Sequence, residues 1–116
     1  GTGMSDTCLF CKIIKGDIPS GKLYEDDDIF AFRDIAPQAP LHFLIVPKKH
    51  ISGPSGVTPG DEQLIGKMIR MAGEIAGKAG IGHYRLVFNN GEGVGQSVFH
   101  IHMHVLGGRS MGWPPG

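Results

Sequence analysis

At 116 residues, with 11 basic and 11 acidic side chains, the chain is long enough for one core and carries no net charge field. That balance excludes a charge-driven binder of nucleic acid or anionic membranes, and no apolar run approaches the roughly 20 residues of a bilayer span. Two cysteines three positions apart make no secreted disulfide framework, so a cytoplasmic enzyme or binding protein is expected. Residues 1–3 ahead of Met4 read as an expression remnant, and residues 1–6 as a disordered polar tail rather than a signal peptide. Residues 7–116 are expected to form a single domain.

The spacing predicts a short helix over residues 8–16 that ends at Gly16, with Pro19 beyond it. Cys8 and Cys11 form C-x-x-C, half of a tetrahedral zinc site when two further ligands exist. Two small buried hydrophobes are the alternative, and a redox pair is a third, although no thioredoxin-like βαβ setting follows. Residues 23–25 and 29–33 read as strands across Asp26-Asp27-Asp28, a solvated hairpin tip in preference to a cation site. A proline-punctuated loop over 34–40 leads into 41–47, the nearly continuous apolar run of a central strand. His42 inside that run is either a satisfied core histidine or a partner standing behind other histidines. His50, after Lys48 and Lys49, is a candidate third ligand for the cysteines.

A Gly/Pro/Ser loop then reaches Thr58-Pro59-Gly60-Asp61, which predicts a helix start with Thr58 as N-cap and Asp61 reaching back to it. Leu64, Ile65, Met68, Met71, Ala72, Ile75, Ala76 and Ala79 recur at helical spacing. This helix should lay one apolar stripe on a sheet and stop at Gly80. Residues 84–89 predict a further strand, and 90–97 a glycine-dense connection able to bring backbone N–H groups to a phosphate. The Gly/Pro-rich tail over 107–116 has no predicted element, and its lone Trp113 is expected to dock on a surface or a partner subunit.

Residues 96–106 are the most informative stretch. His100, His102 and His104 recur with period two, so an extended strand sends them to one face and Phe99, Ile101, Met103 and Val105 to the other. Three imidazoles on one face, beside a glycine loop and Ser97, suit attack at a phosphoryl centre. Imidazole is largely neutral near pH 7 and can form a phospho- or nucleotidyl-histidine that water then hydrolyses. Neighbouring imidazoles and amides would stabilise the phosphoryl oxygens, and a hydroxyl would pass a proton to the departing atom. A single three-histidine metal site is the rival. Its ligands would span roughly 14 Å on a straight strand, too far to meet at one ion. One of them could still complete a site with the cysteines.

His100-Ile101-His102-Met103-His104-Val105-Leu106 resembles the His-φ-His-φ-His-φ-φ signature of the histidine triad (HIT) family. Asp34-Ile35-Ala36-Pro37-Gln38-Ala39-Pro40, Pro47-Lys48-Lys49-His50, Gly95-Gln96-Ser97 and the ending Trp113-Pro114-Pro115-Gly116 are similar to its Hint branch. The resemblance implies an α+β fold, with a five-stranded antiparallel sheet per subunit and one long and one short helix. It implies a homodimer, a purine nucleotide ligand, and no catalytic cofactor. The implied activity is hydrolysis of the P–N bond of adenosine 5′-phosphoramidates to AMP and an amine.

By motif position, the resemblance makes His102 the nucleophile, with His104 binding the α-phosphate, Ser97 bonding near the leaving nitrogen and His42 supporting the histidines from behind. It assigns Asp34 to the ribose hydroxyls and Phe32 and Ile35 to the base. Asn89, Gly95 and Gln96 would surround the phosphate, and Trp113 would reach the partner's site. The C-x-x-C pair departs from the best-known animal Hint proteins but is shared by many bacterial members. There it implies a structural zinc held by Cys8, Cys11, His50 and His100. Two other functions stand beside this reading: a Fhit-type dinucleoside polyphosphate hydrolase, and a nucleotide-binding scaffold module with little catalysis.

Overall fold

The computed structural model describes residues 7–116; the tail expected over residues 1–6 lies outside the described residues. Strands β1 (Lys22–Glu25), β2 (Ile29–Arg33), β3 (Leu41–Pro47), β4 (Tyr84–Val87) and β5 (Met103–Gly107) form one antiparallel sheet in the order β1-β2-β3-β5-β4. A short helix α1 (Leu9–Lys15) and a long helix α2 (Glu62–Lys78) complete the expected α+β arrangement. Among the described residues, no helix is long and apolar enough to cross a membrane.

β3 is central, with Leu44 opposite His104 and Ile45 opposite Met103 on β5. Alternation sends Phe43 and Ile45 to one face and His42, Leu44 and Val46 to the other. On the first face Phe43, Ile45, Met103 and Val105 pack beneath Met68, Met71 and Ala72 of α2. On the second, Phe30, Phe32, Leu44 and Val46 pack against Cys8, Phe10, Cys11 and Ile13 around α1. Covering on both faces explains why β2 and β3 read as apolar runs instead of alternating. Phe43 exposes nothing, so Phe43→Ala would cost about 3–5 kcal/mol.

The box between Thr58 and Asp61 forms as expected, with the Thr58 N–H donating to Asp61 Oδ2 at 3.0 Å. It closes a 3₁₀ turn over Pro59–Asp61, and α2 itself begins one residue later at Glu62. Gly80, with φ +77°, ends the helical run in the left-handed region that favours glycine. The acidic hairpin tip is not loose. Lys67 of α2 bridges Asp26 and Asp28 at 2.7 and 2.9 Å, tying the hairpin to the helix.

The predicted strand over 96–106 is the main correction, because only Met103–Gly107 is strand. The β3–β5 ladder stops at Ile45 opposite Met103, while β3 runs on to Pro47 paired with β2 alone, so it is the chain before Met103 that leaves the sheet. The Ile101 N–H instead donates to the Ile51 carbonyl at 2.6 Å. Gln96, buried, receives the Gly91 N–H on Oε1 at 2.7 Å and donates Nε2 to the carbonyls of Ser52 and Val98. These bonds bend the chain, and Phe99 is 51% exposed instead of buried with Ile101, Met103 and Val105.

Candidate active site

Cys8 caps α1 in extended backbone (φ −79°, ψ 118°), and its Sγ accepts the Cys11 N–H at 3.3 Å. A side-chain oxygen usually fills that capping role. Here sulfur does so, and the two thiols face the same side. Buried His100 directs Nδ1 at them, 3.3 Å from Cys8 Sγ and 3.5 Å from Cys11 Sγ. Its Nε2 lies 2.8 Å from the Pro47 carbonyl, which only accepts, so the proton sits on Nε2 and the Nδ1 lone pair faces the thiols. His50 brings its own Nδ1 to 3.1 Å from that of His100 and 3.5 Å from Cys11 Sγ.

Donors around one tetrahedral ion at ordinary bond lengths stand about 3.3 Å apart for two nitrogens and about 3.6 Å for nitrogen and sulfur. The cluster has edges of that size. Its soft thiol and imidazole donors form a closed, mostly buried set suited to a structural metal. Burial pushes the Cys11 thiol up to about 11, with the hydrogen bond to Cys8 adding to the shift. Binding a cation would displace such protons.

The other histidines form a second group. His102 Nδ1 lies 2.9 Å from the His100 carbonyl, so Nδ1 carries the proton and Nε2 is left as a bare lone pair. His42 Nδ1 accepts the Gln38 N–H at 3.0 Å, which puts the His42 proton on Nε2. That Nε2 lies 3.0 Å from His104 Nδ1, so His104 accepts there and holds its own proton on Nε2. Asp34 Oδ2 is 3.3 Å from the same His42 nitrogen, while Oδ1 accepts the Ala36 N–H at 2.8 Å. One nucleophilic nitrogen and one N–H donor thus stand side by side, with ring centroids 5.2 Å apart.

Asp34, His42 and His104 are close enough to suggest a second metal position. The tautomer argues against it: the lone pair of His42 is taken by Gln38, and its other nitrogen bears a proton. These three residues make a hydrogen-bond relay. Burial lowers His42, opposed by the Asp34 charge, and lowers His102 as well. His104 is held at about 4 by the same cause. All three rings are therefore neutral near pH 7.

A cavity of about 370 Å³ opens over His102 and His104. Phe32, Asp34 and Ile35 line one side, with Asn89, Gly95 and Ser97 across from them. Ile35 stands fully exposed at its mouth. The structure thus brings eight of the sequence-predicted residues to one cavity, with His42 directly behind. Larger clefts exist, one of about 560 Å³ along residues 80–85 and 108–111, but the histidine row is absent from it.

Two sequence-predicted residues lie off the cavity, and a third lines it without the expected role. Gln96 does not line the cavity; its amide is occupied in bracing the loop. Gly95 does line it at φ +102°, but the N–H groups of Val94, Gly95 and Gln96 donate within the loop and do not cradle a phosphate. Trp113 is 83% exposed and not on the cavity. Phe10, which no sequence motif marks, meets His102 edge-on with ring centroids 4.9 Å apart and packs against that imidazole. Its place beside Cys11 on the short helix was the available signal. Gln38 was also missed, because its contribution is a backbone N–H and leaves no trace in residue type.

Fold and site together define a small α+β protein that presents a neutral, oriented imidazole in a cavity, next to a closed Cys/His cluster. The HIT domain family profile matches residues 15–111. The chain is 50% identical over 114 residues to an uncharacterised HIT-like protein of Synechocystis sp., covering 97% of this chain and all of that one. A HIT family hydrolase from Legionella pneumophila superposes with TM-score 0.92 at 52% identity, covering 95% of this chain and 100% of that one. A HIT family hydrolase from Clostridium thermocellum gives 0.89 at 43% identity, over 92% and 95% of the two chains. The chain belongs to the HIT family and is a hydrolase-like member of it.

Proposed function

We propose that the chain is a Hint-branch nucleoside phosphoramidase, which hydrolyses adenosine 5′-phosphoramidates to AMP and an amine. The observation that carries this reading is the tautomer of His102, whose Nδ1–H is donated to the His100 carbonyl and whose Nε2 is free to attack. His102 Nε2 forms a bond to phosphorus as the P–N bond breaks. The departing nitrogen takes a proton that Ser97, exposed on the cavity wall, relays from solvent. The Nε2–H of His104 stabilises the phosphoryl oxygens, its direction held by His42. Water then displaces His102 from phosphorus, releasing AMP and returning the proton.

In the same reading, Asp34 binds the ribose hydroxyls and Phe32 and Ile35 hold the base. The metal is a structural zinc on Cys8, Cys11, His50 and His100, supported by the edge lengths of that cluster. Its chemistry is to hold α1 against the histidine row; no catalytic cofactor takes part. Free cysteines suit a reducing, cytoplasmic setting. The molecule is a homodimer, with the outward edge of β4 and the exposed Trp113 beyond β5 as its contact surface. Rapid-quench intact-mass analysis tests the mechanism: a nucleotidyl adduct on His102 is expected, and turnover without any adduct would contradict it.

A further inference from the structure

A second groove adjoins the cavity. It has a volume of about 470 Å³ and shares Leu9, Ser97 and Val98 with the cavity, so the two spaces meet across Ser97. His102 and His104 line only the cavity, while Phe99 lines only the groove. Phosphoryl displacement runs with attacking and leaving atoms roughly in line. With the nucleoside on the Asp34 side and phosphorus over His102, the departing atom lies toward Ser97, and its substituent continues into the groove.

The groove walls have a definite chemistry. Leu9 and Phe99 are 42% and 51% exposed, and no Asp, Glu, Lys or Arg is among the described residues that line it. His50 lines it too, but its Nδ1 faces the cysteine cluster. By contrast, another cleft of similar size is lined by Asp27, Asp28, Lys48, Lys49 and Lys67. Thr7 and Cys8 complete the described wall, so among the described residues it holds two open apolar side chains and no formal charge, and a charged substituent would lose hydration there without an opposite charge. Phe99 is held there by the same bend that removes residues 96–102 from β5.

We propose that this groove is the leaving-group subsite, and that it selects amines with an uncharged aromatic or aliphatic substituent. The inference rests on the phosphoramidase reading and specifies its substrate class. Apolar contacts of this size discriminate by about 10-fold or more. The test compares kcat/KM for adenosine phosphoramidates of 2-phenylethylamine and of 1,4-diaminobutane, whose free end is cationic. The wild type should prefer the phenylethyl compound by about tenfold or more, and Phe99→Asp should collapse or invert that ratio. Phe99→Thr, neutral and smaller, should give an intermediate ratio and serves if the aspartate variant does not fold. Turnover with a wild-type ratio near one, or a ratio that neither variant changes, would overturn the subsite alone. No turnover of either compound by the wild type would overturn the phosphoramidase reading, and the subsite with it.

Discussion

His42 Nε2 stands 3.0 Å from His104 Nδ1, while the other nitrogen of His42 is occupied by the Gln38 N–H. A backbone donor at one end therefore sets the proton position on two successive rings. His104 is left with an N–H, not a lone pair, on its far side. If that N–H stabilises the phosphoryl oxygens, His42→Phe should lower kcat by about 100-fold, the scale of one displaced proton donor. KM should change by less than about threefold, since His42 does not line the cavity. A kcat equal to wild type in a folded variant would show that the relay is irrelevant to turnover.

The Cys/His cluster joins the cap of α1 to residues 50 and 100, far apart in the chain. Losing a metal staple here should cost about 3 kcal/mol, or about 10 °C in Tm for a domain of this size. Cys8→Ser with Cys11→Ser should therefore melt about 10 °C lower and contain no zinc by elemental analysis. Identical Tm values, with no zinc in the wild type, would refute the staple.

Burial holds His104 at about 4, against an ordinary value of 6.5. Between those values an unfolded chain takes up a proton that the folded chain refuses. Stability therefore declines as pH falls from 6.5 toward about 4, and this contribution levels off below. His42 is lowered in the same direction. Urea midpoints across this window should fall less steeply for His104→Gln than for wild type under the same metal conditions. Equal slopes would contradict the assignment.

Much of this arrangement is legible in the sequence where period and burial agree. The run over Leu41–Pro47 and the stripe on Glu62–Lys78 are strong patterns, and both elements form as read. Gly16 predicts the end of α1, expected over residues 8–16, because that cap needs only local groups. Residues 99–102 also alternate, yet they are no strand. Alternation predicts which side a residue faces, but a strand needs a ladder partner, and the segment before Met103 leaves β3, which runs on to Pro47 paired with β2. The long-range bonds of Gln96 and Ile101 decide the local path, and nothing in residue type announces them. For the same reason Gln96 reads as a ligand contact when its amide is a brace.

The central claim is that His102 attacks phosphorus in a nucleoside phosphoramidate. Steady-state hydrolysis of adenosine phosphoramidate beside diadenosine triphosphate, by wild type and His102→Ala, tests it most directly. Wild type should strongly prefer the phosphoramidate, and His102→Ala should lose about 10⁴-fold or more in kcat while binding AMP within about tenfold of wild type. Turnover by His102→Ala near the wild-type rate would contradict the nucleophile. Equal or better use of the dinucleotide by wild type would place the chain with the dinucleoside polyphosphate hydrolases instead, and no turnover of either substrate would leave a nucleotide-binding module.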